Sequence, residues 1–221
     1  MPGKAYGLPA AKATWVPQVA RDMGLPVPPK YGCAIGGKLA GVAGTTCAAC
    51  YADNRGQYGA PSVHKGQTKR VVGVHDPRWI EAMLIQINRY VDPAEPFFRW
   101  HDSGDLLGDW HLEAIATIAS ATPWVNYWLP TREALIVSRF LRKHGDFPSN
   151  LTVRVSATKV DAGPPTGLPV NTSTVHSDDT AAAMAARDTD ALCDAAHRGG
   201  QCGPCRACWD RDVDNVSYGI H

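Results

Sequence analysis

A parallel α/β fold is predicted by the stretch from residue 97 to residue 156, where short apolar or aromatic runs alternate with segments of 3.6-residue periodicity. Strand, helix, strand, helix, strand in so short a span leaves right-handed crossovers as the way to connect neighbouring strands. A chain of 221 residues with 44% hydrophobic content can bury one substantial core, so all parts of it are expected in a single compact domain.

Residues 1–60 are rich in Gly, Pro and Ala with little periodicity. Pro26, Pro28 and Pro29 exclude a continuous helix there, so this segment is expected to be ordered mainly by whatever Cys33, Cys47 and Cys50 bind. Residues 61–175 form the β/α core. Asp76-Pro77 reads as a helix start with Pro at the first helical position, and Ile80, Met83, Leu84, Ile87 and Val91 share one face. Phe97 to His101 is aromatic and β-prone, hence a strand. Asp109 is expected to cap a helix with the core stripe Leu112, Ile115, Ile118 and Ala119, running to Ala121 before Pro123 stops it. Val125 to Leu129 is the next strand. After Pro130 a helix carries Ala134, Leu135, Val137 and Phe140 and finishes in basic residues at Gly145, which suits the helix dipole and a left-handed cap. Leu151 to Ser156 alternates apolar and polar and makes the third strand. A Pro/Gly-rich stretch from Asp161 to Pro169 leads into residues 176–221, an alanine-rich helix near Asp179 to Arg187 followed by a cysteine-rich segment.

The seven cysteines fall into a group of three, Cys33, Cys47 and Cys50, and a group of four, Cys193, Cys202, Cys205 and Cys208. Four thiolates suit a closed zinc site or a saturated iron-sulfur cluster, whereas three suit a cluster that keeps one iron open. Cys202, Cys205 and Cys208 are two CxxC pairs sharing their middle cysteine, a period that packing does not require. The odd count and the lack of an apolar leader argue against a disulfide framework and for reduced thiols in a cytoplasmic setting. His221 at the terminus is a further possible zinc ligand or a frayed end.

In parallel α/β sheets and barrels, active sites form at the carboxyl ends of the strands. The residues expected there are His101-Asp102-Ser103-Gly104-Asp105, then Thr131-Arg132, then Ser156. The first loop is dense in groups able to ionise or donate, with Gly104 allowing close backbone approach, although Asp102 and Asp105 would serve equally as turn caps. Arg132 suits a carboxylate or phosphate clamp, or a surface charge. Trp100, Trp110, Trp124 and Trp128 are expected mostly in the core. The net charge is +1, from 22 basic and 21 acidic residues, so the chain as a whole has no nucleic-acid footprint. Locally, Lys4, Lys12, Arg21, Lys30, Lys38, Arg55, Lys65, Lys69 and Arg70 face only Asp22 and Asp53, which suits a phosphate-bearing partner or a solvated loop region. No apolar stretch reaches the length of a membrane span.

Cys47-Ala-Ala-Cys50-Tyr51-Ala52, Arg99-Trp-His-Asp-Ser-Gly-Asp105-Leu, Tyr127-Trp-Leu-Pro-Thr131-Arg132, Asn150-Leu-Thr-Val-Arg-Val-Ser156 and Cys202-Gly-Pro-Cys-Arg-Ala-Cys208-Trp209 together resemble the phage "gene product eighty-eight" family, from about residue 30 onward. That family in turn resembles radical S-adenosylmethionine enzymes of the partial TIM-barrel type. The resemblance implies a parallel partial barrel with Cys33, Cys47 and Cys50 as 4Fe-4S ligands. It further implies Ser103-Gly104-Asp105 at the amino group of S-adenosylmethionine and Thr131, Arg132 and Ser156 as cofactor contacts. Cys193, Cys202, Cys205 and Cys208 would hold an auxiliary cluster or a zinc. Thirteen residues separate Cys33 from Cys47, where the usual radical spacing is CxxxCxxC, and a long loop can still close because closure entropy grows slowly with length. A phage origin implies the host cytoplasm and makes DNA or a nucleobase the expected partner. Asp102-Ser103-Gly104, Leu129-Pro130-Thr131-Arg132 and the CxxCxxC with its trailing His are also similar to pieces of queuine-type guanine transglycosylases, zinc enzymes in which Asp102 would be the catalytic carboxylate. A zinc-stapled nucleic-acid-binding module is the third, non-enzymatic expectation.

Overall fold

A computed structural model describes residues 3–50, 52, 56–178, 180–181 and 190–219. Seven parallel strands form one sheet, curled into a half-barrel with helices on its outer face. In chain order the elements are β1 (Lys4–Tyr6), α1 (Val16–Asp22), α2 (Ala34–Leu39), α3 (Pro61–Val74), α4 (Trp79–Tyr90), β2 (Phe97–Trp100) and α5 (Asp109–Ala121). They continue with β3 (Asn126–Thr131), α6 (Ala134–His144), β4 (Leu151–Ser156), β5 (Asn171–His176), β6 (Ala191–Cys193) and β7 (Asn215–Gly219). The strands lie in the order β1-β2-β3-β4-β5-β7-β6.

The outer face carries the hydrophobic core. Register aligns Phe98 with Tyr127 and Tyr127 with Leu151, then Leu129 with Val153, and all five are buried against the helices. The predicted α5 stripe of Leu112, Ile115, Ile118 and Ala119 is fully buried there, each large side chain contributing about 1.5–3 kcal/mol of burial. Met83, Ile87 and Val91 of the α4 region face the same core, with Ile80 and Leu84 packed at its margin.

The concave face is filled by the C-terminal loop instead of by further strands. Trp209 packs edge-on against Trp128 and Phe97 and donates from its indole to the Phe98 carbonyl at 3.0 Å. Thr152 donates to the Trp209 carbonyl at 2.7 Å. Arg154, with no exposed surface, reaches from mid-β4 into the loop. Its guanidinium donates to the carbonyls of Cys208, Thr172, Val213, Asp214, Ala207 and Asp210 at 2.6–3.5 Å. Every one of these acceptors is main chain: five lie on the irregular segment 207–214 and one on β5, so one side chain ties that segment to the sheet.

Several expectations are corrected. The first 60 residues contain β1, α1 and α2; β1 was missed because a three-residue edge strand is too short to show a period. α3 was missed because its buried face includes Gln67 and Thr68 beside Val71 and Val74, which breaks the apolar pattern. The next helix starts at Trp79, not at Asp76-Pro77: the Asp76 carboxylate accepts from the Arg78 amide at 2.9 Å and closes a turn around Pro77. β3 runs through Pro130 to Thr131, tolerated because β2's last pairing with β3 is Arg99 with Trp128, so no ladder bond from Pro130 is needed on that side. Leu135 is 70% exposed, because the buried α6 stripe of Ile136, Val137 and Phe140 continues one turn earlier onto Glu133, not Leu135. Trp110 and Trp124 are exposed, and only Trp100 and Trp128 are core. β4 is buried along both faces apart from its last residue, so Thr152 and Arg154 are interior and not solvent-facing. β6 is too short to show a period, and β5 and β7 carry too few apolar residues to be read; there the buried hydroxyls of Thr172, Thr174 and Ser217 and the Asn215 amide satisfy one another instead. Of the expected alanine-rich helix, residues 179 and 182–189 lie outside the described residues, as does His221.

Arg154→Met should cost about 3–5 kcal/mol in urea unfolding, since it removes the hydrogen bonds that tie the loop to β4 and leaves the Cys208 and Asp210 carbonyls without the donor Arg154 gives them. Arg154→Lys should recover part of that loss, because an ammonium keeps the charge but offers fewer donors. A stability within experimental error of wild type for Arg154→Met would contradict the role given to this side chain.

Candidate metal and cofactor site

The expected strand-end loops do meet, at the carboxyl ends of β2, β3 and β4, and the first cysteine group is fastened to them. Cys33 precedes α2 in extended conformation, and Gly36 has no Cβ because one would stand 2.8 Å from the Cys33 Cβ. The first turn of α2 is held by Glu133, whose buried carboxylate accepts from the Ile35 amide at 2.9 Å. The Cys47 segment is held twice: Arg132 donates to the Thr46 hydroxyl at 2.6 Å, and Thr45 forms an antiparallel bridge with Lys159 just past β4. Consecutive residues after β3 thus clamp both arms of the long Cys33–Cys47 loop.

Cys33 lies close enough to Asp105, Cys50, Cys47 and Arg132 to feel their charges. Burial first, then the Asp105 carboxylate and the Cys50 and Cys47 thiolates, push the Cys33 thiol well above its ordinary range, while Arg132 pulls it back. Arg132 Nε is buried with no hydrogen-bond partner in the structure. Asp105 sits at the centre of the strand-end hub. Its Oδ1 accepts from the Leu106 amide at 2.7 Å and the Thr131 hydroxyl at 2.6 Å, and its Oδ2 from the Arg132 amide at 2.9 Å. Burial nevertheless dominates these bonds and raises its pKa from 3.8 to about 6, with Glu133 adding to the rise.

Other expected site residues are engaged within the fold. Ser103 accepts from Gln67 at 2.8 Å and donates to the Leu8 carbonyl at 2.9 Å. Gly104 has φ +81°, and a Cβ there would meet the Leu8 Cβ at 2.6 Å, so in this structure its bare backbone accommodates the chain after β1. Asp102 lies against Gly7, where a Cβ would collide with its carboxylate. Ser156 shares a hydrogen bond with Ser173 at 2.8 Å. Arg70, from the basic N-terminal third, is used internally, donating to the Gly7 carbonyl at 2.6 Å; Asp53 and Arg55 lie outside the described residues. His101 takes a left-handed backbone at φ +58°, with both ring nitrogens buried and without partners, 5.3 Å from the His111 ring. Burial, then Arg99, drives its pKa down to about 3, so it is neutral.

The second cysteine group also gathers. Cys193, at the end of β6, and Cys202, Cys205 and Cys208 of the following loop line one cavity of about 20 Å³. Burial pushes Cys208 up to about 12, opposed by a 3.2 Å hydrogen bond with the Tyr218 hydroxyl and by Arg154. All seven thiols are free of disulfides. Among the described residues no three His, Cys, Asp or Glu side chains already form a set able to hold a metal ion. The thiols of each group are neighbours without being drawn onto a common centre.

The clamps on the first group were missed by sequence reasoning. Glu133 had a signal, a carboxylate adjacent to Arg132 on the continuation of the α6 apolar stripe; Thr46 had none beyond its proximity to Cys47.

The fold is a parallel α/β half-barrel in which Arg132 and Glu133, just past β3, are tied to the cysteine-bearing N-terminal segment. Residues 10–211 match the family model Gene product 88, and the chain belongs to that phage family. No curated protein and no solved structure matches it. No helix among the described residues is long and apolar enough to cross a membrane.

The raised Asp105 carboxyl sets a pH dependence. Its folded pKa lies above the unfolded value, so the stability it contributes is fully present below pH 3.8 and is lost as pH rises through about 6, a loss of roughly 3 kcal/mol. The His101 effect has the opposite sign and cancels when wild type is compared with an Asp105 variant. In urea unfolding of metal-free protein, Asp105→Asn should therefore gain roughly 3 kcal/mol relative to wild type between pH 3.5 and 7.5. A difference that does not change with pH would show that Asp105 is not desolvated as described.

Proposed function

We propose that the chain is a phage-type metalloenzyme that binds a 4Fe-4S cluster through Cys33, Cys47 and Cys50 and S-adenosylmethionine beside it, and that acts on nucleic acid or a nucleobase. The observation that carries this reading is the gathering of three thiols, with Asp105 and the unpartnered Arg132 Nε, at the strand ends of a parallel half-barrel. The donor set suits the group: three thiolates leave one iron for a ligand from the cofactor. When bound, the cluster and S-adenosylmethionine would supply the radical chemistry.

The chain's own residues then have distinct tasks. Arg132 joins the cysteine loop to β3 through Thr46 and retains a buried donor, suited to a carboxylate. Asp105 and Thr131 act as a pair that fixes the β2 and β3 ends, rather than as two independent contacts. Glu133 holds the Cys33 arm. The substrate class rests on phage membership alone.

Anaerobic reconstitution should give a brown protein with iron and acid-labile sulfide in equal amounts, and replacing Cys33, Cys47 and Cys50 together with Ser should abolish the colour. Calorimetric titration of the reconstituted protein with S-adenosylmethionine should show binding that Arg132→Met weakens roughly 10- to 100-fold when compared at equal cluster loading, the effect of losing a charge-assisted hydrogen bond. A colourless protein, or a reconstituted one that does not bind the cofactor, would overturn the assignment.

A further inference from the structure

We propose that Cys193, Cys202, Cys205 and Cys208 hold a single tetrahedral divalent metal ion of the zinc class, not a second iron-sulfur cluster, and that this ion locks the loop that fills the concave face. The site is separate from the strand-end cysteines and does not depend on their occupant.

Size is the first argument. All four thiols line the same cavity, whose volume is about 20 Å³. On this measure one water needs about 10–15 Å³, so the space suits one atom and not a cubane of iron and sulfide. Because the thiols already share the cavity, closing around one ion calls for side-chain rotation, whereas a cluster calls for the loop to open.

The surroundings supply the second argument. A zinc ion in four thiolates carries a net charge of about −2, and with Cys193, Cys202 and Cys208 half-buried and Cys205 exposed, solvent and nearby cations offset it together. Two guanidiniums stand on this face: Arg154, spread over the carbonyls of the same loop including that of Cys208, and Arg99, lying 4.5 Å over the Trp128 ring. A thiolate can only accept, so the Tyr218 hydroxyl, 3.2 Å from Cys208 Sγ, would donate to it and orient it.

The loop itself is shaped in advance. Cys202 and Cys205 are joined in a tight turn by the Cys205 amide to the Cys202 carbonyl at 3.2 Å, with Gly203 at φ +56°. Arg198 donates to the Cys202 carbonyl at 2.9 Å, and Arg206 to the carbonyls of Gly203 and Cys205 at 2.7 and 2.8 Å. A CxxC turn with its carbonyls occupied in this way presents both thiols on one side. Four protein ligands leave no open position, so the ion is structural and its binding energy goes into folding.

The test uses the full chain, with Cys33, Cys47 and Cys50 replaced by Ser so that only the second site can bind metal. Elemental analysis should find one zinc per chain and no labile sulfide. Exchange for Co²⁺ should give the intense visible bands of tetrahedral thiolate coordination. Competition with a chromophoric chelator should show Tyr218→Phe weakening zinc roughly 10-fold and Cys202→Ser by more than about 100-fold. Iron with labile sulfide in the Ser variant, or cobalt bands of octahedral type, would overturn the proposal. Should the Ser variant not fold, Co²⁺ titration of the wild-type apoprotein beside Cys202→Ser replaces it: the substitution should remove one equivalent of tetrahedral bands, and bands that it leaves unchanged would count against the proposal.

Discussion

Arg154 is a positive charge in the middle of a parallel sheet, and the architecture of the concave face depends on how it is satisfied. A buried guanidinium without partners would be prohibitive, and carboxylates in this position would have to be desolvated as well. Here main-chain carbonyls from two separate segments, Ala207–Asp210 and Val213–Asp214, are the acceptors, together with that of Thr172 on the neighbouring strand. The arrangement solves two problems at once. The cation is solvated by oriented dipoles, and the irregular loop is tied to β4, with the Cys208 and Asp210 carbonyls gaining a donor. Trp209 and Thr152 then fix the loop's position over β2 to β4, which in turn decides where Cys208 stands.

The same logic, with signs reversed, operates at the strand ends. Asp105 is a buried carboxylate met by two amides and a hydroxyl drawn from its own loop and from the end of β3. Those bonds fail to compensate its desolvation fully, so its proton affinity is raised, and when it is ionised its negative charge raises the Cys33 thiol in turn. Just past the end of β3, Arg132 and Glu133 reach out and hold the arms of the cysteine loop. A parallel sheet delivers these residues to one rim because every strand ends there. The long separation between Cys33 and Cys47 is closed by side chains of the barrel itself, not by short spacing in sequence.

The sequence made the centre of the fold legible and its margins illegible, for physical reasons. α5, β4 and the outline of β3 and α6 bury apolar residues with clean periods, and they were read nearly to their limits. β1 was too short, α3 buried glutamine and threonine, and β5 and β7 bury hydroxyls and an amide that look like surface. The partition of cysteines into three and four, and the strand-end loops, were visible from spacing and order alone. The structural uses of those loops were not. Ser103 and Gly104 are shaped by Leu8, a contact across 95 residues, and His101 by a left-handed backbone that no local pattern announces. A lone arginine inside a strand otherwise reading Leu-Thr-Val-Val-Ser was the one overlooked hint that the loop over the sheet needs a cation.

The central proposal is that the two cysteine sets take different metals, iron at the strand ends and a single ion under the C-terminal loop. Crystals grown anaerobically from reconstituted protein, with anomalous-difference maps recorded on both sides of the iron and zinc absorption edges, test it directly. The account predicts iron-edge density among Cys33, Cys47 and Cys50 and a single zinc-edge peak among Cys193, Cys202, Cys205 and Cys208. Thiols paired as disulfides, the same metal at both positions, or no peak at either would contradict it.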